Sequence, residues 1–154
     1  MGQLENQTVI ITGGGTGIGF EVAKLFHQEG ANVVICGRRE DAILIAAKQI
    51  APDNTRVMGI SVDISKEADV IQLMKRTMDW TNRIDVLINN AGAHRINKPP
   101  EETSLDEWKS VIDTNVTGTF LCCREAGKIM ISQKSGIIIN ISSLSSFVIN
   151  KYFH

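Results

Sequence analysis

Thr8-Val-Ile-Ile-Thr12-Gly-Gly-Gly-Thr-Gly-Ile-Gly19 is the stretch on which the reading of the fold turns. Its first five residues are all β-branched, which suits a strand. Past the glycines, Ile18, Val22, Leu25 and Phe26 recur at i, i+4, i+7 and i+8, the apolar stripe of a helix that ends before Gly30. A strand, a glycine turn and a helix in that order make a cradle for a pyrophosphate. Side chains beyond hydrogen would hold the phosphates off, and the mouth of a helix offers unpaired amides and partial positive charge. Gly13, Gly17 and Gly19 supply the tight turn, the close approach and the helix-on-strand contact, with Gly15, Thr16 and Ile18 completing the loop. The spacing is T-G-x-x-x-G-x-G rather than G-x-G-x-x-G, and a flexible loop would also be glycine-rich. The flanking strand and helix are what favour nucleotide binding.

Working outward, four more β-branched runs follow at Asn32–Cys36, Arg56–Val62, Asp85–Asn89 and Gly136–Ser142. They are continuously apolar rather than alternating, as strands buried on both faces must be. Helical segments lie between them. Ala42 to Ile50 is stopped by Pro52, and Lys66 to Met78 turns Val70, Leu73 and Met74 inward. Ser104-Leu-Asp-Glu107 is a capping box opening a long fourth helix with Trp108, Val111 and Ile112 on one face, and a helix is expected from Thr117 to about Ser132. Strand and helix alternate throughout. The spacing predicts one α/β domain over residues 1–154, a Rossmann-like doubly wound parallel sheet with helices on both faces.

Composition narrows the function. The chain has 154 residues, 43% of them apolar and 21% charged, with a formal charge of -1. That balance gives no reason to expect nucleic acid or an anionic membrane as a partner. No apolar run approaches the ~18 residues of a membrane span. The start lacks a basic-then-apolar signal, and Asn6 stands where a myristoylation motif needs Ser or Thr. The cytoplasm is the expected compartment. Cys36, Cys122 and Cys123 lack metal-ligand spacing, and His27, His94 and His154 are scattered, so no metal site is expected.

Four motifs occur in order: Thr12–Gly19, Asn89-Asn-Ala-Gly92, Asn115 in Asp-Thr-Asn-Val, and Ile139-Asn-Ile-Ser-Ser143. Together they resemble the short-chain dehydrogenase/reductase family, over the N-terminal portion of a typical member. The resemblance implies a nicotinamide cofactor. It places Asp63 against the adenine with Ile64 alongside, and Asn90, with Ala91 and Gly92, at the cofactor ribose. Plainer readings stay open: Asp63 as a turn residue before a helix, and Asn89 and Asn90 as ties between strand ends.

Sites that use NAD place an Asp or Glu at the end of the second strand for the ribose hydroxyls. Here the chain reads Cys36-Gly37-Arg38-Arg39. A guanidinium can grip a 2′-phosphate with two parallel bonds, whereas a carboxylate would repel it, so NADP(H) is favoured over NAD(H). Both arginines could instead be solvated turn residues, and Glu40 or Asp41 could still reach a ribose.

For catalysis, the resemblance implies that Ser143, with Ser142 as runner-up, bonds the substrate carbonyl, and that Asn115 helps hold a water. A Tyr followed four residues later by Lys would deliver the proton. Tyr152 has no such Lys and reads as a substrate-loop aromatic. The chain is therefore expected to be a fragment, inactive alone, of an enzyme reducing carbonyls or oxidising alcohols, whose full-length form is a homodimer or homotetramer. The fifth strand would be an exposed edge inviting aggregation. The rival expectation is a non-catalytic nucleotide-binding or interaction module.

Overall fold

In the computed structural model, residues 2–53, 55–93 and 98–143 are described. Five strands form one sheet: β1 (Thr8–Thr12), β2 (Asn32–Gly37), β3 (Val57–Ser61), β4 (Val86–Asn89) and β5 (Ile137–Asn140). Their order is β3-β2-β1-β4-β5, and every neighbouring pair is parallel. Helices α1 (Gly17–Gln28), α2 (Glu40–Ile50), α3 (Glu67–Thr81), α4 (Leu105–Ile112) and α5 (Thr119–Gln133) connect them.

The unbroken apolar runs are explained by two cores. Ile10, Val34, Cys36 and Leu87 pack with residues of α3 and α5 on one face. Val9, Ile11, Val33, Ile35, Val86 and Ile88 pack with residues of α1 and α2 on the other. Successive side chains of β1 thus enter opposite cores, and all five of its residues are buried. Each fully buried aliphatic side chain contributes roughly 1.5–3 kcal/mol. The doubly wound parallel sheet is the fold.

Two expected faces differ. Ile18 and Leu25 of α1 are 65% and 53% exposed, while Gly19 and Ala23 are buried. Val22 and Phe26 of the same stripe do pack against that core, beside the buried Ala23, so the inward face is turned rather than absent. Gly19 lies beneath the helix because a Cβ there would meet the Gly13 carbonyl oxygen. On α4, Trp108 is 56% exposed and no residue of the helix is buried. The expected long fourth helix is eight residues of α4, continued through a π-helical segment, Asp113–Gly118, into α5.

Candidate functional site

The chain order reverses between β1 and β4, and the carboxyl ends of β1 to β4 open onto a groove of about 490 Å³. Such a switch point is where open α/β sheets take ligands. Gly13, Gly15 and Thr16 line it after β1, and Gly37, Arg38 and Arg39 at the end of β2. Val62, Asp63 and Ile64 line it after β3, and Ala91 and Gly92 after β4.

The glycine turn is held from two sides. The Gly13 and Gly14 amides donate to the Cys36 carbonyl at 2.8 and 3.3 Å, pinning the turn to β2. Opposite, the buried Thr12 hydroxyl accepts from the Asn90 and Ala91 amides at 3.1 and 3.0 Å. The Asn90 side-chain amide returns the contact, donating to the Thr12 and Gly13 carbonyls at 3.0 and 3.2 Å. Gly13 has φ +66°, and a Cβ there would lie 2.9 Å from the Ala91 Cα. At Gly19 a Cβ would lie 2.5 Å from the Gly13 carbonyl oxygen, so the start of α1 rests directly on the turn.

What remains is a set of donors. Thr16, the N-cap of α1, makes no side-chain cap bond, and the first amides of a helix have no intrahelical carbonyl. Where a Cβ would stand at Gly17 there is nothing within 4 Å. Uncapped amides, the positive end of the helix dipole and open space beside them fit a phosphate pair.

Arg38 and Arg39 form no ion pair among the described residues. Glu40 and Asp41 lie in the exposed first turn of α2 and are not among the groove's lining residues. Asp63 both lines the groove and shapes the turn before α3: its Oδ1 accepts from Ser65 Oγ at 2.7 Å and from the Ser65 amide at 3.1 Å. Burial works to raise the Asp63 pKa, but those bonds, aided by Lys66 and Arg38, hold it below the usual carboxylate range.

Nine of the sequence-predicted residues therefore line the groove, while Gly17, Ile18, Gly19 and Asn90 do not. Asn90 acts here as the tie between strand ends. Asn115 lies exposed in the π-helical segment, where its Oδ1 accepts from the Ala93 amide at 2.8 Å. Ser142 and Ser143 are exposed just past β5, at the same carboxyl edge of the sheet. Tyr152, His94 and His154 fall outside the described residues. Sequence reasoning passed over Gly37, Val62 and Thr114, each directly preceding a residue it chose; the end of a strand or the motif itself was the available signal.

The cysteines are free thiols. Burial pushes Cys36 far above the ordinary thiol range and Cys122 up to about 12, so neither is a thiolate at neutral pH. Among the described residues no cluster of His, Cys, Asp or Glu could hold a metal, and no helix is long and apolar enough to cross a membrane.

Residues 7–153 match the sequence profile of the short chain dehydrogenase family. The chain belongs to that family. Its members are oxidoreductases that bind a nicotinamide cofactor. An uncharacterized oxidoreductase of Staphylococcus aureus (strain MRSA252) is 36% identical, over 96% of this chain and 63% of its own length. A 3-oxoacyl-[acyl-carrier-protein] reductase of Chlamydia trachomatis serovar D is 41% identical, over 93% of this chain and 58% of its own. Among solved structures, a short chain dehydrogenase from Bacillus anthracis superposes with a TM-score of 0.90 at 33% identity, covering 96% of this chain and 59% of that one. A metagenomic short-chain oxidoreductase in complex with NADP gives 0.89 at 28%, covering 96% and 66%. The chain thus spans about three-fifths of the length of the curated relatives it matches.

Proposed function

We propose that this chain is the NADP(H)-binding part of an enzyme that moves hydride between that cofactor and the carbonyl or alcohol of a small molecule. The observation that carries the proposal is the groove at the switch point: uncapped helix amides at its phosphate end and, at the end of β2, two guanidinium groups with no ion pair and no lining carboxylate beside them among the described residues. Arg38 also acts on the Asp63 carboxyl electrostatically. A candidate phosphate reader and a candidate base reader thus line one groove, as a 2′-phosphorylated adenosine requires. The NADP-bound metagenomic relative is consistent with this choice.

The bound nicotinamide supplies the hydride; the chain's own residues bind, orient and conduct protons. Ser143 would donate to the substrate oxygen. Asn115 would hold a water through Nδ2, which carries no bond among the described residues. The 154 residues contain no Tyr-x-x-x-Lys, so proton delivery is proposed for the longer protein and cofactor binding alone for this chain. Because a 41% identical relative is a 3-oxoacyl-[acyl-carrier-protein] reductase, 3-oxoacyl-[acyl-carrier-protein] is the first substrate to try. We place the enzyme in the cytoplasm as a homodimer or homotetramer. Leu105, Trp108, Val116 and Phe120, each more than half exposed along α4 to α5, support a subunit contact there.

Titration of nicotinamide fluorescence with NADPH and NADH tests the reading. NADPH should bind about ten- to a hundredfold tighter, the range of a charge-assisted bond. Arg38→Ala with Arg39→Ala should erase that preference. Equal or tighter binding of NADH by the unaltered chain refutes the cofactor choice, and no binding of either refutes the nucleotide site.

A further inference from the structure

On the wall of the groove that follows β3, Asp63 is the polar side chain between two apolar ones, Val62 and Ile64, which are 3% and 6% exposed. Its position is fixed by several bonds. The Val62 amide donates to the Gly37 carbonyl at 3.0 Å, tying the preceding residue to β2. The Asp63 amide donates to Asp69 Oδ2, from the first turn of α3, at 3.0 Å. Ser65 then holds Oδ1 with both its hydroxyl and its amide, at 2.7 and 3.1 Å. Among the described residues no hydrogen bond reaches Oδ2. With its pKa held below the usual range, Asp63 is an ionised, acceptor-only group at neutral pH.

We infer that Ser65 is a positioning residue for base selection: by fixing Oδ1 it leaves Asp63 Oδ2 as a fixed acceptor that favours a purine carrying an exocyclic amino group over one carrying a carbonyl. The inference rests on the dinucleotide reading given above. An amino group donates to such an oxygen. A 6-oxo purine sets its own oxygen against a carboxylate that cannot turn away. A carboxylate that loses the Ser65 hydroxyl, the shorter of its two bonds, and keeps only the amide could swing about its side-chain torsions, or admit a water between itself and the ring, and the two bases would become alike. Ser65 therefore governs the ratio of two affinities rather than either alone.

The test uses the full chain with NADPH and its deamino analogue, in which hypoxanthine replaces adenine, both followed by nicotinamide fluorescence. The unaltered chain should favour NADPH by ~tenfold or more, the range for a hydrogen bond to a charged group. Ser65→Ala should bring the two dissociation constants close to parity, and Ser65→Thr, which keeps the hydroxyl, should restore the preference. If Ser65→Ala weakens both ligands by the same factor, Ser65 is a turn residue only and the inference is overturned. Should Ser65→Ala fail to fold, Ser65→Cys, a weaker donor of similar size, must show a reduced ratio; an unchanged ratio overturns the inference. An unaltered chain that binds both ligands equally overturns the inference and leaves the cofactor site standing. One that binds neither overturns both.

Discussion

Thr12 shows how much one hydroxyl can carry. It is fully buried, and it accepts from the Asn90 and Ala91 amides while β1 turns into the phosphate loop. Thr12→Val keeps the shape and removes the acceptor, leaving two amides to lose their partner; each buried donor left unpaired costs about 1–3 kcal/mol. A lowered midpoint in denaturant and weakened NADPH binding should follow, with Thr12→Ser close to unaltered. At Gly19 the difficulty is steric. A Cβ 2.5 Å from the Gly13 carbonyl oxygen meets backbone that cannot step aside, so Gly19→Ala should cost about 1–3 kcal/mol and abolish binding in the same titration. The glycines of this turn were legible because each answers a local need. Thr12 was read as the end of a strand and the first residue of the glycine motif, but not as an acceptor, because its partners are 78 and 79 residues away. Asn90 was legible as a motif, and both its roles were open; the structure shows the tie, and the ribose contact stands as a proposal.

Among the elements, those specified by neighbouring residues were the easiest to read. The capping box at Ser104 is present as expected: the Glu107 amide donates to Ser104 Oγ at 3.3 Å, and Glu107 Oε2 accepts from the Ser104 amide at 2.9 Å. The Glu107 carboxyl is held down to about 2, first by Lys98 and then by the Ser104 amide and hydroxyl. A carboxyl depressed on folding stabilises the folded form fully above its ordinary value of 4.5 and progressively less as pH falls toward 2. The amides of α4 should therefore exchange faster through that acid window, before the sheet responds. Ser104→Ala should produce the same local fraying at neutral pH, at a cost of about 1 kcal/mol. Loss of β1 protection in step with α4 would contradict this. The π-helical segment was not legible, because its setting is a long-range contact: Gly118 packs where a Cβ would lie 2.7 Å from Ile64 Cγ1. The α1 stripe was legible only in part, Val22 and Phe26 packing on the core while Ile18 and Leu25 do not, and the exposure of Trp108 on α4 was not legible, for a related reason. Periodicity shows that a stripe exists, while what covers it depends on elements distant in sequence.

At the scale of the whole molecule the two edges of the sheet are unlike. β3 at one edge packs closely on α2 and has only Ser61 exposed; at the other, all four residues of β5 are exposed. Register sets Ile137 and Ile139 beside Val86 and Ile88 on the face of α1 and α2, and Ile138 beside Leu87 on the other. Both faces of the edge are thus apolar, with Ile137 58%, Ile138 38% and Ile139 40% exposed. From Gly136 to Ser143 there is no charged residue and no proline to deter another strand. That composition was legible as a sheet interior, and in this chain it stands at the rim. The chain should accordingly self-associate through β5 as its concentration rises. Ile137→Lys separates this route from others. The side chain is more than half exposed, so folding stability should change by no more than about 0.5 kcal/mol. Two edges meeting side by side would bring lysines together, and like charges directly opposite on paired strands are unfavourable. Light scattering against concentration should then fall well below that of the unaltered chain at equal thermal midpoint. If scattering is unchanged, the association runs through another surface, and the exposed stripe of Leu105, Trp108, Val116 and Phe120 is the next to be charged.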